Sequence, residues 1–410
     1  MAKVTGLSGN EIFCMMLKNY GAGELVVGNS VNSMGFLGGL ASVIGDMIGG
    51  EVTQVTQVIE QGRLNAFDRM MNEAQREGAV GVTGVTSELK NFQGNTEFLF
   101  VGSCLHQTNA AAAGFMGAQP KLVFSSAGSA QELFCHMDAG YRPIQHVFGN
   151  IAYSIGIGGG LMASFKSLSR GEVTQYSDIF NKTRHTALQR IVNQARLCGA
   201  NAVVGIRTDI ATWHGTHEML MTGTAAFNEK LPPECVETPI TSDMTGEELW
   251  AMTSMGYAPV KLLISASIYS LGLIGGFKTA FQSLAKGEIN DLTTLIHDAR
   301  KISIDRLKNE ADEMGAEGVV GIKTYIKELG GGLVEFLAIG TAIAKLQGVC
   351  VQTSSLPVQA IISDKNTWTD GSSGFSIAGG NSENMSDKLV STGIGAAGAG
   401  ILGLMGFTSE

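Results

Sequence analysis

Cysteine and histidine side chains stand close together at three places in the sequence, where they could bind a metal ion. The three groupings are Cys104-x-His106, Cys135-His136 and His214-x-x-His217-Glu218. A structural zinc site needs four converging nitrogen or sulfur ligands, usually supplied as two close pairs. None of the groupings recurs at a matching position elsewhere in the chain, so we favour structural or adventitious roles for them. His214 and His217 are the best remaining pair for zinc or another divalent metal.

Six arginines have a more regular spacing than the cysteines and histidines. They occupy the same two positions in each of three long helical patterns: Arg63 and Arg69, Arg184 and Arg190, and Arg300 and Arg306. The planar guanidinium fork suits ion pairs with carboxylates, at a surface or between units. Glu51, Glu172 and Glu288 recur just before these helices and are candidate partners elsewhere in an assembly. An anion-binding site is the alternative.

No recurring set of residues could carry catalysis. Neither a Ser/His/Asp or Cys/His set nor a pair of carboxylates appears in all three helical stretches and their surroundings. The tail matches G-x-G-x-x-G twice, from Gly393 and from Gly398, but it lacks the preceding strand and the βαβ unit that a dinucleotide site requires. The formal net charge of −9 argues against a phosphate-binding surface. We therefore predict a protein that is not an enzyme and does not bind nucleic acid.

The long helical patterns belong to a stretch of sequence that is written three times. GEVTQVTQVIEQGRLNAFDRMMNEAQREGAVGVTG begins at Gly50, and related stretches with the same ungapped spacing begin at Gly171 and Gly287. Such self-similarity indicates one structural unit repeated in tandem. We place the units at residues 1–106, 125–229 and 242–347, followed by a Ser/Gly-rich linker and an apolar, Gly-rich tail at 348–410.

Each unit is predicted to begin with a short helix and to continue as an α+β arrangement. Capping boxes start the helix at Ser8/Glu11, Ser129/Glu132 and Thr245/Glu248, and the helix ends near Asn19, Gly140 and Gly256. A strand, a glycine-rich crossing, the long helix and two hairpin-connected strands follow. This order predicts antiparallel sheets packed on a long helix.

The part of each unit from the first strand to the hairpin resembles the YbjQ-like family. The resemblance rests on the double glycine before the long helix, on Gly62-Arg63, Thr183-Arg184 and Ala299-Arg300, on GANAVVG at residues 199–205, and on the closing Gly-Thr-Ala. It implies a dodecin-like β-α-β-β fold that assembles as five-membered rings, and the family carries a heavy-metal-binding label. The chain departs from the family pattern where Glu51, Glu172 and Glu288 stand in place of the usual arginine.

Apolar residues follow the glycine-rich crossing of each unit at helical spacing. We predict that six of them form an oligomer interface: Leu40, Ile44, Leu161, Phe165, Phe277 and Phe281. Burial in the core and contact with a membrane are the alternatives. The segment 389–407 has no charge, and it is either a flexible tail or oligomer contact, or a contact with a membrane surface.

The sequence predicts the cellular location and the function of the protein in broad terms. The first residues lack a signal-peptide pattern, so we expect a cytoplasmic protein, with the tail as a candidate contact to the membrane periphery. The first functional hypothesis is a non-enzymatic, self-assembling scaffold or binding protein that holds a small apolar ligand or a membrane surface between units. The second is a metal-binding or metal-handling protein, as the family label suggests.

Overall fold

The structure, a computed structural model, describes residues 4–33, 50–92, 95–108, 123–154, 171–213, 216–270, 290–330 and 333–362. The six predicted interface residues, His214, Glu288 and the segment 389–407 lie outside these ranges. Within the ranges, the predicted α+β architecture of three tandem β-α-β-β units is confirmed.

The three units repeat one order of elements. Unit 1 contains α1 (Gly9–Leu17), β1 (Tyr20–Ser33), β2 (Gly50–Glu51), α2 (Thr53–Arg76), β3 (Gly81–Phe92) and β4 (Asn95–Gln107). Unit 2 contains β5 (Phe124–Ser125), α3 (Ala130–Asp138), β6 (Arg142–Ser154), β7 (Gly171–Glu172), α4 (Thr174–Leu197), β8 (Ala202–Trp213) and β9 (Thr216–Phe227). A 3-10 turn (Pro233–Val236) leads to unit 3, which contains β10 (Ile240–Thr241), α5 (Gly246–Ser254), β11 (Tyr257–Ser270), α6 (Asn290–Glu313), β12 (Gly318–Gly330) and β13 (Leu333–Lys345). The short helix α7 (Val358–Ile361) follows.

The short helices begin and end as their sequences predict. Each of the three capping boxes is formed in both directions, with the hydroxyl accepting from the N3 backbone and the glutamate accepting from the N-cap backbone. Behind each helix the backbone turns left-handed, at Asn19 (φ 64°), Gly140 (φ 86°) and Gly256 (φ 83°). This conformation ends a helix at little cost for glycine and asparagine.

The long helices are amphipathic and equal in length. Each contains 24 residues, about 36 Å of helix, and α2 buries Val55, Ile59, Phe67 and Met70 along one face. The recurring glutamate just before the helix lies in a short strand, Glu51 in the two-residue strand β2 and Glu172 in β7, because these segments pair with the sheet of the following unit.

Each sheet exchanges short strands with a neighbouring unit. The strand orders are β1-β4-β3-β5, β10-β8-β9-β6-β2 and β12-β13-β11-β7. Thus β2 extends the sheet of unit 2 and β7 extends that of unit 3, while β5 and β10 pair in parallel with β3 and β8 of the preceding unit. The units are therefore joined by backbone hydrogen bonds on both sides of each junction.

The hydrophobic core is also continuous across the junctions. Phe148, Ala152 and Leu220 of unit 2 pack in one cluster with the buried residues of α2 and the sheet of unit 1. The sheet of unit 3 packs in the same way on α4, for instance through Ile264 and Ile268. Among the described residues, no helix is both long and apolar enough to span a membrane.

Candidate functional site

In units 1 and 2, the first arginine of the long helix forms a buried ion pair with a glutamate in the sheet of the next unit. Arg63 of α2 is 0% exposed, and its Nη2 lies 3.1 Å from Oε2 of Glu218 on β9. Arg184 of α4 is also 0% exposed, and its Nη2 lies 2.7 Å from Oε1 of Glu335 on β13. The same charged contact therefore occurs at both junctions between units.

Neighbouring groups complete these two buried pairs. Arg63 also donates to the Ser87 hydroxyl, and Arg184 donates to the Tyr153 hydroxyl at 2.9 Å. Burial alone lowers the pKa of Arg184, but Glu335 and Tyr153 outweigh this effect and raise it above the ordinary arginine value. The guanidinium therefore stays charged, and a buried charge of this kind requires its carboxylate partner.

The second arginine of the long helix holds the strand exchanged between units. Arg190 donates to Oε1 of Glu51 at 2.6 Å and to the carbonyl oxygen of Asn150 at 2.7 Å. Arg306 in unit 3 lies 2.8 Å from Oε1 of Glu172 and donates to the Ala266 carbonyl. Two of the three glutamates singled out in the sequence thus lie beside an arginine of the following unit.

The arrangement of ion pairs is incomplete at the second arginine of unit 1 and at the first arginine of unit 3. Arg69 is exposed and donates to the carbonyl oxygen of Asn29, which is the counterpart of Asn150. Arg300 is exposed, and it forms no ion pair or hydrogen bond with any residue that the structure describes. Of the six arginines, five therefore have a partner inside the described chain.

Glu218 and Glu335 accept hydrogen bonds from the buried arginines, and the sequence did not predict this partnership. Glu97, Glu218 and Glu335 stand at one position of the last strand, five residues before its glycine, in EFLFVG, EMLMTG and EFLAIG. In the sheets they lie opposite Val31, Ala152 and Ile268. A charged residue that recurs within an otherwise apolar strand was the available signal, since such a residue needs a buried partner.

His217 has neighbours that do not suit a metal ligand. Its ring stacks on Tyr153 at 5.5 Å between centroids, and Lys327 Nζ lies 2.9 Å from its Nδ1. Burial, followed by the charges of Lys327 and Arg184, lowers the pKa of His217 to about 3. A cation bound at this nitrogen would lie beside the amine of Lys327, so the described neighbours of His217 do not favour a metal ion, while His214 lies outside the described residues.

In the other cysteine and histidine groupings, Cys104, Cys135 and His136 are buried and His106 is half-buried. Burial raises the pKa of Cys104 to about 12 and lowers the pKa of His136 to about 4. Burial also raises the pKa of Cys135. Since a thiol must lose its proton to bind a metal, these environments disfavour binding. No group of three or more Cys, His, Asp or Glu side chains in the described ranges is placed to hold a metal ion.

A second polar cluster links the short helices. The Asp138 carboxylate is 0% exposed and accepts hydrogen bonds from Lys18 of unit 1 at 2.8 Å, Trp250 of unit 3 at 2.7 Å and the Thr353 hydroxyl at 2.7 Å. Burial raises the pKa of Asp138, but these hydrogen bonds outweigh it and lower the pKa below its ordinary value. One carboxylate thus connects all three units with the segment that follows them.

Comparison with known proteins agrees with this repeated architecture. The model of the YbjQ family, described as "Putative heavy-metal-binding", matches residues 18–106, 140–229 and 257–345. The encapsulin nanocompartment protein Rv1762c of Mycobacterium tuberculosis is 26% identical over 234 residues, which are 54% of this chain and 86% of that protein. The UPF0145 protein VP1283 of Vibrio parahaemolyticus is 44% identical over 80 residues, which are 19% of this chain and 76% of that protein.

A single unit also matches longer stretches of small relatives. UPF0145 protein BRADO6695 of Bradyrhizobium is 39% identical over 94 residues, which are 22% of this chain and 85% of that protein. No solved structure is significantly similar to the chain. The three matches of the family model coincide with the three β-α-β-β units of the fold. The chain therefore belongs to the YbjQ family, of which it contains three tandem copies.

Proposed function

We propose that this protein is a non-enzymatic scaffold that assembles from copies of itself. The observation that carries the proposal is that the recurring charged residues form ion pairs between units. Arg63 and Arg184 meet Glu218 and Glu335, and Arg190 and Arg306 meet Glu51 and Glu172, in each case across a junction between units. Residues that recur in an enzyme made of repeats would be expected to face a pocket, whereas these bind one unit to the next.

The apolar contacts support the same conclusion. The long helices α2 and α4 each pack on their own sheet with one part of their surface and on the sheet of the next unit with another, and both surfaces belong to one continuous cluster. A unit of this size buries little apolar surface by itself, so its stability depends on neighbours. The name of the Mycobacterium tuberculosis relative, an encapsulin nanocompartment protein, is consistent with an assembling role.

The mass of the full-length chain in solution tests the proposal. Light scattering coupled to size-exclusion chromatography, with negative-stain electron microscopy of the same fractions, is expected to show particles of several copies. A particle of one 43.0 kDa chain at every concentration that can be reached would overturn it.

Contact with a membrane surface is a separate part of the proposal. It is assigned to the uncharged segment 389–407. Flotation with liposomes of neutral and of anionic lipid is expected to carry the full chain and to leave a chain without residues 389–410 behind. Equal flotation of both chains would remove the tail from this role.

A further inference from the structure

We infer that unit 3 of one copy binds unit 1 of a second copy through the same contacts that join successive units within one chain. This inference rests on the self-assembly proposed above and specifies its interface. The two internal junctions are alike in charge, apolar packing and strand exchange. Units 1 and 3 together carry the two unused halves of a third junction of this kind.

The charges are the first part of that junction. Arg300 stands at the position of Arg63 and Arg184, but it is exposed and forms no ion pair with a described residue. Glu97 stands at the position of Glu218 and Glu335, each 1% exposed, and from the described residues it accepts only a hydrogen bond from Asn29 Nδ2 at 3.1 Å. One copy therefore offers the guanidinium and the next copy offers the carboxylate.

The sheet face of unit 1 is the second part. Val27 and Val31 of β1 are 43% and 49% exposed. Their counterparts, which the preceding unit's helix covers, are 2% exposed or less: Phe148 and Ala152 in unit 2, and Ile264 and Ile268 in unit 3. The same strand positions are thus apolar in every unit, and in the described part of the chain they are uncovered only in unit 1.

The opposite surface, on unit 3, has matching apolar residues. Ile304 of α6 is 37% exposed, whereas its counterparts Phe67 and Leu188 are 6% and 5% exposed. Ile322 of β12 is 43% exposed, whereas its counterparts Val85 and Ile206 are 3% and 2% exposed. These apolar side chains are exposed, whereas their counterparts at both internal junctions are buried. Such a difference indicates a surface that a partner covers.

A cavity in unit 1 lies where a helix residue of the partner would enter. It has a volume of about 250 Å³ and is lined in part by Leu25, Leu99 and Val101. In unit 2, the counterpart of Leu25 is His146, and the Phe67 ring of unit 1 lies against it at 5.7 Å. By the same placement, Ile304 of a second copy would fill the cavity in unit 1.

Open sheet edges are the third part. The strand β12 is the outer strand of its sheet, although its counterparts β3 and β8 pair with β5 and β10 of the following unit. Val4 occupies the sequence position of Ser125 in β5, is 65% exposed, and accepts a hydrogen bond from Leu25 N at 2.7 Å. The segment at Val4 is therefore held against unit 1 with its outer side available to β12 of another copy.

These two surfaces differ, so the contact is heterologous. Each copy can bind one neighbour through unit 3 and another through unit 1, and repetition of such a contact produces a closed ring or an open filament. Contact between copies would bury the Arg300–Glu97 pair as its internal counterparts are buried. Removal of one charge from a buried pair costs about 3–5 kcal/mol, or at least a hundredfold in association constant.

Charge reversal in the full-length chain tests the interface. Arg300→Glu and Glu97→Arg are each expected to weaken self-association at least about a hundredfold. Neither side chain is fully buried in the single chain, so both variants should fold, which circular dichroism verifies. Arg196→Glu is the matched control, because Arg196 is 50% exposed and, among the residues that the structure describes, forms an ion pair only with the exposed Glu237.

A mixture of the two reversed variants gives the sharpest result. Arg300 of the Glu97→Arg chain can still meet Glu97 of the Arg300→Glu chain, so equal amounts of the two should form particles of at least two copies. Light scattering of each variant and of the mixture measures this. Variants that assemble like the unchanged protein, or a mixture that stays as single chains, would overturn the interface but leave self-assembly intact. A single-chain unchanged protein would instead overturn the proposed function.

Discussion

The imidazole ring of His146 in unit 2 lies against the phenyl ring of Phe67 in unit 1, with 5.7 Å between the ring centroids. Phe100 lies 5.6 Å away from the same imidazole on another side. Both ring nitrogens of His146 are buried and have no hydrogen-bond partner among the described residues. Burial, and then the charge of Arg63, lowers the pKa of His146 to about 3. The first junction therefore contains a histidine that must remain neutral.

His146 should make the stability of the protein sensitive to acid. An unfolded histidine gains its proton near pH 6.5, whereas folded His146 gains it near pH 3. Stability is therefore complete above about pH 6.5 and falls as the pH decreases from there toward 3, by about 2 kcal/mol at pH 5 from this residue. Urea unfolding at a series of pH values measures the loss.

Replacement of His146 by phenylalanine should reduce this acid sensitivity. The His146→Phe variant is expected to lose less stability between pH 7 and pH 5 than the unchanged protein, because no imidazole has to stay neutral in the aromatic cluster. The exposed His297 provides the control variant, His297→Phe, which should keep the original slope. An unchanged slope in His146→Phe would show that this histidine does not govern the acid response.

Removal of one partner of the Arg184–Glu335 pair should lower the free energy of unfolding more than replacement of both partners by apolar residues. Arg184→Ala leaves the Glu335 carboxylate buried without its partner and should lower the free energy of unfolding by about 3–5 kcal/mol. The double variant Arg184→Met/Glu335→Leu should recover most of the loss, because apolar residues fill the same volume without a charge. Denaturant unfolding provides the values. Equal losses in the single and double variants would contradict the importance of the unpaired charge.

Gly149 allows the helix α4 to approach the strand β6 closely. A Cβ atom at Gly149 would lie 2.2 Å from the Ala187 carbonyl oxygen and 2.8 Å from the Ile191 nitrogen. Gly149→Ala must therefore move the helix backbone and should cost about 1–3 kcal/mol or more. The counterpart in unit 3 is Ser265, whose buried hydroxyl has no hydrogen-bond partner in the described ranges, so Ser265→Ala should be neutral or stabilising. Thermal unfolding of both variants makes the comparison.

Asp138 should be sensitive even to a change that preserves its shape. In Asp138→Asn the amide nitrogen would face a donor, because Lys18, Trp250 and Thr353 all donate to the carboxylate. We expect a loss of about 2–3 kcal/mol in the free energy of unfolding. Asp305→Asn, at an exposed position of α6, is the control and should change stability by less than about 0.5 kcal/mol. Similar losses in both variants would show that the cluster does not hold the units together.

Metal binding can be tested separately from assembly. Because Lys327 lies beside His217, we expect zinc to raise the unfolding temperature of the unchanged protein and of His217→Gln by the same amount or not at all. Metal analysis of the purified protein accompanies the unfolding measurement. One zinc per chain that is lost in His214→Ala/His217→Ala would favour metal handling over the proposed scaffold.

Much of the fold could be predicted because its signals are local. The capping boxes at Ser8, Ser129 and Thr245, the apolar stripe of the long helix and the glycines at strand ends each act within a few residues. Their repetition at fixed spacing identified three units of one α+β fold. The ion pairs of the site were harder to predict from the sequence, because they join residues that are far apart in the chain. Arg63 is paired with Glu218, and no spacing within one unit indicates that partner.

The sequence alone therefore determined the number of units, their type of fold and the recurrence of arginine and glutamate. Only the tertiary structure decided which glutamate each arginine meets, that Glu51 belongs to a strand exchanged with the next unit, and that Arg300 and Glu97 lie at opposite ends of the series. The physical reason is that secondary structure follows from neighbouring residues, whereas the burial of a charge depends on what the whole chain places around it.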